Sequence, residues 1–225
     1  IVAHAGTAVL DGNRTPVLDC PLFDVVDDGR KGPSLVKAGA VAVPMPDASK
    51  AVGAPLSVGI ACGTLTGARV HGPDGPGGTD VVVVAALPGR GGPQQVSLYL
   101  GRGVGRDGHV SGGWAPPVDV TASFDPAERI LGAELITNPR SGGVDLIVVS
   151  TTVPADQPAA AGSTPLVYRV ARGLTPDGGL VEGFSAPEPF GPKADDAILF
   201  GAGVGVSQEA SDDVQLILGS YSGLA

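Results

Sequence analysis

Residues whose types and spacing could do chemistry are few in this chain. Gly103, Gly105 and Gly108, in "YLGRGVGRDGHVSGGW" (99–114), are spaced as G-x-G-x-x-G directly after the strand-like "VSLYL". That spacing suits a dinucleotide when a helix follows. The second glycine then admits the pyrophosphate, and the helix N-terminal N–H groups bind it. Here the next residues are "HVSGGWAPPVDV". Gly112, Gly113, Pro116 and Pro117 forbid a helix of useful length. The three glycines are read as turn residues.

Cys20 and Cys62 are the only cysteines. Two thiols do not complete a structural zinc site, and His4, His71 and His109 lie at no ligand spacing from them. In an oxidising compartment the pair reads as a disulfide, and otherwise as two small buried side chains. The carboxylate pairs Asp27/Asp28, Asp195/Asp196 and Asp212/Asp213 are adjacent in sequence. Neighbours on a strand face opposite ways, which suits solvated turns better than an acid/base pair. A serine nucleophile elbow reads G-x-S-x-G, and "GSYSG" (219–223) has Tyr221 at its centre instead.

The elements that must position these residues follow from composition. The chain has 225 residues, with 36 Gly and 21 Pro, and its Val, Leu, Ile and Ala fall in short runs. Disordered chains lack such runs, so the balance points to an all-β protein with many turns. The net charge is −9 without a basic cluster, which argues against nucleic acid and anionic membranes. Runs such as "VVVVAAL" and "AILFGAGVGV" fall far short of the roughly 18 residues that span a bilayer. A chain opening on Ile1 reads as processed or as a piece of something longer.

An internal repeat organises the whole. Moving "VSLYLGRGVGRDGHVSGGWAPP" from Val96 to Leu166 lays it on "LVYRVARGLTPDGGLVEGFSAP" without a gap. Gly103 falls on Gly173, Asp107-Gly108 on Asp177-Gly178, and Trp114 on Phe184. Gly105 falls on Thr175, so the repeat keeps the turn glycines and loses the one a pyrophosphate needs. The shared Asp-Gly between extended segments is a hairpin signal. Upstream, "TDVVVVAA" (79–86) matches "VDLIVVST" (144–151) and "VQLILGS" (214–220). Glycine-bearing apolar segments precede each: 57–67, 130–137 and 198–207. A more eroded copy gives strands within 6–23 and 34–46.

Each unit therefore holds four short strands. Strand two is a continuous β-branched run, expected to be buried on both faces. Strand three alternates, with Val96, Leu98 and Leu100 on one side and Ser97 and Tyr99 on the other. Trp114 and Phe184 read as one repeated core contact. Between units, "PDASK", "DPAER" and "PKADD" suit single helical turns, with Asp125-Pro126 as N-cap and N1.

Tandem four-stranded antiparallel units are the blades of a β-propeller. The order "TDVVVVAA…VSLYLGRGVGRDGHVSGGW" and "VDLIVVST…LVYRVARGLTPDGGLVEGF" resembles the FG-GAP and VCBS repeats, the family of integrin α-like propellers. The resemblance implies one propeller segment over 1–225, with blades near 1–50, 51–120, 121–191 and 192–225, the last incomplete. It implies a non-catalytic, extracellular or lumenal module for protein–protein or glycan interaction, adhesion or assembly. Three and a half blades do not close a ring, so a partner protein or a continuation of the chain is expected to complete it. The alternative is a propeller-fold secreted hydrolase or lyase. "IVAHAG" resembles the processed N-terminus of trypsin-like proteases, but no histidine or serine motif of that family follows.

The family often carries a calcium loop between strands one and two. The corresponding loops offer Asp11 and Asn13, then Asp74 and Asp80. Calcium takes six to eight oxygens, and neither set is complete. The same residues serve as turn formers through their own backbone bonds. Cys20 falls on a strand two and Cys62 on the following strand one, so the pair is expected to be close enough to bridge two units.

Overall fold

The computed structural model describes residues 4–10, 13–27, 29, 32–45, 57–63, 65, 79–87, 94–137, 143–151, 166–190, 199–208 and 214–222. For 4–10, 13–15, 24, 25, 27, 33, 35, 190, 199–208 and 214–222 it describes the backbone alone. The protein is all-β. The described residues form antiparallel sheets, and their one helical feature is a 3-10 turn at Thr121–Ser123.

Four sheets follow one another along the chain. The first holds β1 (His4–Leu10), β2 (Asn13–Asp27) and β3 (Pro33–Pro44) in that order. The second holds β4 (Ser57–Gly63), β5 (Thr79–Leu87), β6 (Gln95–Val104) and β7 (Val118–Asp119). The third repeats this with β8 (Arg129–Thr137), β9 (Val144–Thr151), β10 (Leu166–Ala171) and β11 (Glu188–Phe190). The fourth holds β12 (Leu199–Gln208) and β13 (Val214–Ser222). Every ladder joins strands consecutive in sequence, so each sheet is a meander. Among the described residues these sheets do not close into a barrel or ring.

The reason lies in the runs between turns. In β5 every residue after Thr79 is buried, and in β9 every residue is. A strand buried on both faces has no polar side to alternate with, which is why "DVVVVAAL" and "VDLIVVST" are nearly unbroken apolar runs. Alternation then sorts side chains between two layers. Val82, Val84, Ala86, Val96, Leu98 and Leu100 face the third sheet, where Leu146 and Val148 meet them. Val81, Val83, Ala85 and Tyr99 face the first sheet and its Leu18, Cys20, Val41 and Val43. Each Val or Leu among them contributes about 1.5–3 kcal/mol by leaving water.

Strand ones approach one another directly. β4 packs along β8, and β8 along β12. The glycines of these strands make this possible. A Cβ on Gly59 would lie 2.8 Å from the carbonyl carbon of Gly132.

Two details differ from the sequence reading. Strand four is short, an isolated bridge at Trp114 or Phe184 followed by two or three paired residues in β7 and β11. The prolines between bridge and strand have no N–H for a continuous ladder. Asp125 caps a turn rather than a helix. Its carboxylate accepts the Ala127 N–H, and the Glu128 carboxylate accepts the Asp125 N–H in return. The first sheet has three described strands, as the eroded copy at 6–23 and 34–46 predicts.

Candidate functional site

The G-x-G-x-x-G lies in a hairpin. β6 ends at Val104 and turns back, with a bridge between Val104 and Val110. Leu174 and Leu180 make the same bridge in the third sheet. The Gly105 N–H donates to the His109 carbonyl and the Gly108 N–H to that of Gly105, both at 2.9 Å. Thr175, Gly179 and Gly178 reproduce both bonds at the same distance. Gly103 and Gly173 have φ of 63° and 67°, and Gly108 and Gly178 both have 87°. L-residues avoid that region, so the repeat preserves these glycines. No helix follows, and the nucleotide reading falls away.

A carboxylate clasps each hairpin from the start of strand two. Asp80 Oδ1 accepts the Gly103 N–H at 3.1 Å and Arg102 Nε–H at 3.0 Å, while Oδ2 accepts the Leu65 N–H at 3.0 Å. Asp145 Oδ1 accepts the Gly173 N–H at 3.0 Å. The Asp that opens "DVVVV" and "DLIVV" thus fixes where strand three bends. At the tips, Asp107 accepts the His109 N–H, and Asp177 accepts from the Thr175 hydroxyl. That hydroxyl, with backbone N–H groups, holds the Asp177 carboxyl below its usual range. Side-chain and backbone bonds from Thr121 do the same for Asp119.

Each hairpin tip lodges on the preceding sheet. A Cβ on Gly108 would meet the Ala40 carbonyl oxygen at 1.9 Å, and one on Gly39 would meet Asp107 backbone at 2.6 Å. Gly178 sits correspondingly over Leu100 and Ala115. Ala40 and Leu100 both belong to the third strand of their sheets. Arg102 secures the second contact by donating to the Pro176 carbonyl at 2.6 Å.

Between the first and second sheets lies a cleft of about 190 Å³. Leu22, Phe23 and Val41 line one wall, and Cys62, Val104 and Arg106 the other.

The expected site residues fare differently. Asp11 and Asp74 lie outside the described residues, and Asn13 is described by its backbone in β2. Asp80 is 3 % exposed and paired with a guanidinium, an arrangement that does not fit a calcium ligand. No group of three or more His, Cys, Asp or Glu suited to a metal occurs among the described residues. Cys20 is buried in β2 and Cys62 exposed in β4, both as free thiols. Trp114 packs against the layer facing the first sheet, and Phe184 against the layer facing the second. The repeated contact is therefore met twice.

One cluster has no precursor in the motif reading. Glu128, 1 % exposed, accepts from the Ser150 hydroxyl and from Arg169 Nη1. The Arg169 guanidinium lies 5.0 Å over the Phe124 ring, which meets Phe184 edge-on at 5.1 Å. The signal in sequence was a single charge inside the apolar strand "LVYRVA", where the repeat places Tyr99 in the sheet before. Its partner sits in a linker, 41 residues away.

Among the described residues no helix is long and apolar enough to cross a membrane, which says nothing of a β-barrel. Comparison of the chain with protein-family models, curated proteins and solved structures found no match.

Proposed function

We propose that this chain is a segment of a β-propeller of the FG-GAP/VCBS kind, serving binding or assembly in an extracellular or lumenal setting. One observation carries the reading. The Asp-Gly hairpin of a sheet docks on the third strand of the sheet before it, twice, at Gly108 over Ala40 and at Gly178 over Leu100. An interface that recurs between successive units is how repeat proteins propagate. The side-by-side packing of strand ones β4, β8 and β12 supports it, since blades meet at their innermost strands.

The ends of the meanders are loops, and loops on a rigid scaffold carry recognition. β13 pairs with β12 alone among the described residues. No described strand pairs with its other edge, which can take a strand from a partner protein or from further chain. Sedimentation velocity over a range of concentrations tests the reading. Reversible association of the 225-residue chain is expected. A chain that stays monomeric throughout would count against it.

A further inference from the structure

Cys62 lines the cleft between the first two sheets, and Cys20 lies in the buried apolar layer between those same sheets. Cys20 faces the shared apolar layer with Leu18, Val41 and Val43. Val41, its partner across the β2–β3 ladder, and Leu22, two residues along the same strand face, both line the cleft with Cys62. On the other wall Cys62 is paired with Val81, which belongs to the same layer as Cys20. The two thiols are within electrostatic reach, since the charge of Cys62 helps raise the Cys20 thiol.

We propose that Cys20 and Cys62 form a reversible inter-sheet crosslink, made by exchange with a small-molecule disulfide that enters the cleft. The two residues have different places in the exchange. Burial, then Glu134, raise the Cys62 thiol too, but Cys62 is the exposed one of the two and reacts first. Its thiolate attacks one sulfur of the donor disulfide, the donor S–S bond breaks, and the first donor half leaves as a thiolate. Cys20 then attacks the Cys62 sulfur of the mixed disulfide. The Cys20–Cys62 bond forms, the second donor half leaves, and it takes up the proton that Cys20 lost. One protein dithiol and one donor disulfide become one protein disulfide and two donor thiols.

The second step is the slow one. In the dithiol form burial first, then Asp19, then Cys62 push the Cys20 thiol up to about 12; burial and Asp19 persist in the mixed disulfide, where Cys62 carries no charge, and the Cys20 Sγ donates to the Leu18 carbonyl at 3.9 Å. The other charged groups nearby are Glu134, which acts on Cys62, and Asp80 and Arg106 in the cleft wall. Only the thiolate attacks, so closure gains about tenfold per pH unit while the pH stays below the Cys20 value. The proposal does not depend on the binding function.

The test uses the intact chain and oxidised glutathione in excess, followed by acid quench, non-reducing peptide mapping and intact mass. The expected product is a monomer two hydrogens lighter, free of glutathione, with Cys20 and Cys62 peptides joined. Its thermal midpoint should exceed that of the dithiol form and return with reductant. The exposed-site variant Cys62→Ser should take up no glutathione, and closure of the wild type should quicken from pH 7 to 9. Wild-type chain that stops at a glutathione adduct on Cys62, or that joins to a second copy through Cys62, would overturn the proposal.

Discussion

The carboxylate of Asp80 holds the amide of Gly103 at 3.1 Å, tying the first residue of one apolar run to the bend of the next strand. Asp145 and Gly173 repeat the relationship at 3.0 Å. A single side chain thereby sets both the register of two strands and the departure point of a hairpin.

Removing that carboxylate should loosen the hairpin without dissolving the sheet. Asp145→Ala leaves the partly buried Gly173 N–H without this acceptor and should cost about 1–3 kcal/mol. Asp80→Ala should likewise destabilise the protein, because Leu65, Gly103 and Arg102 all lose the same partner. Denaturant melts of the two variants check both losses.

The two Asp-Gly tips differ in a way that distinguishes strain from packing. Gly108 and Gly178 share a φ of 87°, so alanine at either should cost about 1–2 kcal/mol of backbone strain. At Gly178 the new methyl meets ordinary contacts at 3.4 Å and beyond. At Gly108 it would overlap the Ala40 carbonyl, adding about 1–3 kcal/mol of overpacking. Gly108→Ala should therefore be clearly the less stable variant in thermal melts, and equal midpoints would refute the docking of this tip.

Burial of strand two on both faces gives a third expectation. Val83 is 0 % exposed, whereas Val181 is 73 % exposed. Val83→Asp should lower stability by several kcal/mol and Val181→Asp by less than about 0.5 kcal/mol. Paired melting curves settle the comparison.

Glu134 supplies a pH dependence with a definite sign. Burial raises its folded-state value above the ordinary 4.5. The folded protein therefore holds this proton more tightly than the unfolded chain, and stability falls as pH rises through that window. Glu134→Gln should stabilise the protein at neutral pH. The gain should vanish below pH 4.5, where the carboxyl is protonated in both states. Melts at pH 4 and pH 7 measure it.

Much of this was legible in the sequence because it depends on period and on turn chemistry. The runs at 79–87 and 144–151 announce doubly buried strands, and the gap-free repeat from Val96 to Leu166 identifies equivalent hairpins. The alternation of Val96, Leu98 and Leu100 against Tyr99 correctly sorts side chains between two layers. Less legible were contacts made across long separations. The family resemblance offered Asp80 to a calcium loop, but a guanidinium and two amides bond it in space. The Glu128–Arg169 pair joins a linker to a strand with no spacing rule between them. The brevity of β7 and β11 follows from Pro116, Pro117 and Pro187, which supply no N–H to the ladder, an effect that depends on which edge each proline faces.

Residue-resolved hydrogen exchange along β13 tests the propeller-segment account most directly. On an antiparallel edge strand alternate N–H groups face away from the partner. In the isolated chain, amides of Val214–Ser222 bonded to β12 should exchange slowly and those between them quickly. That alternation is the signature of an edge left for another strand. Uniformly slow exchange from 214 to 222, in a chain that sediments as a monomer, would show the edge satisfied internally and would contradict the account.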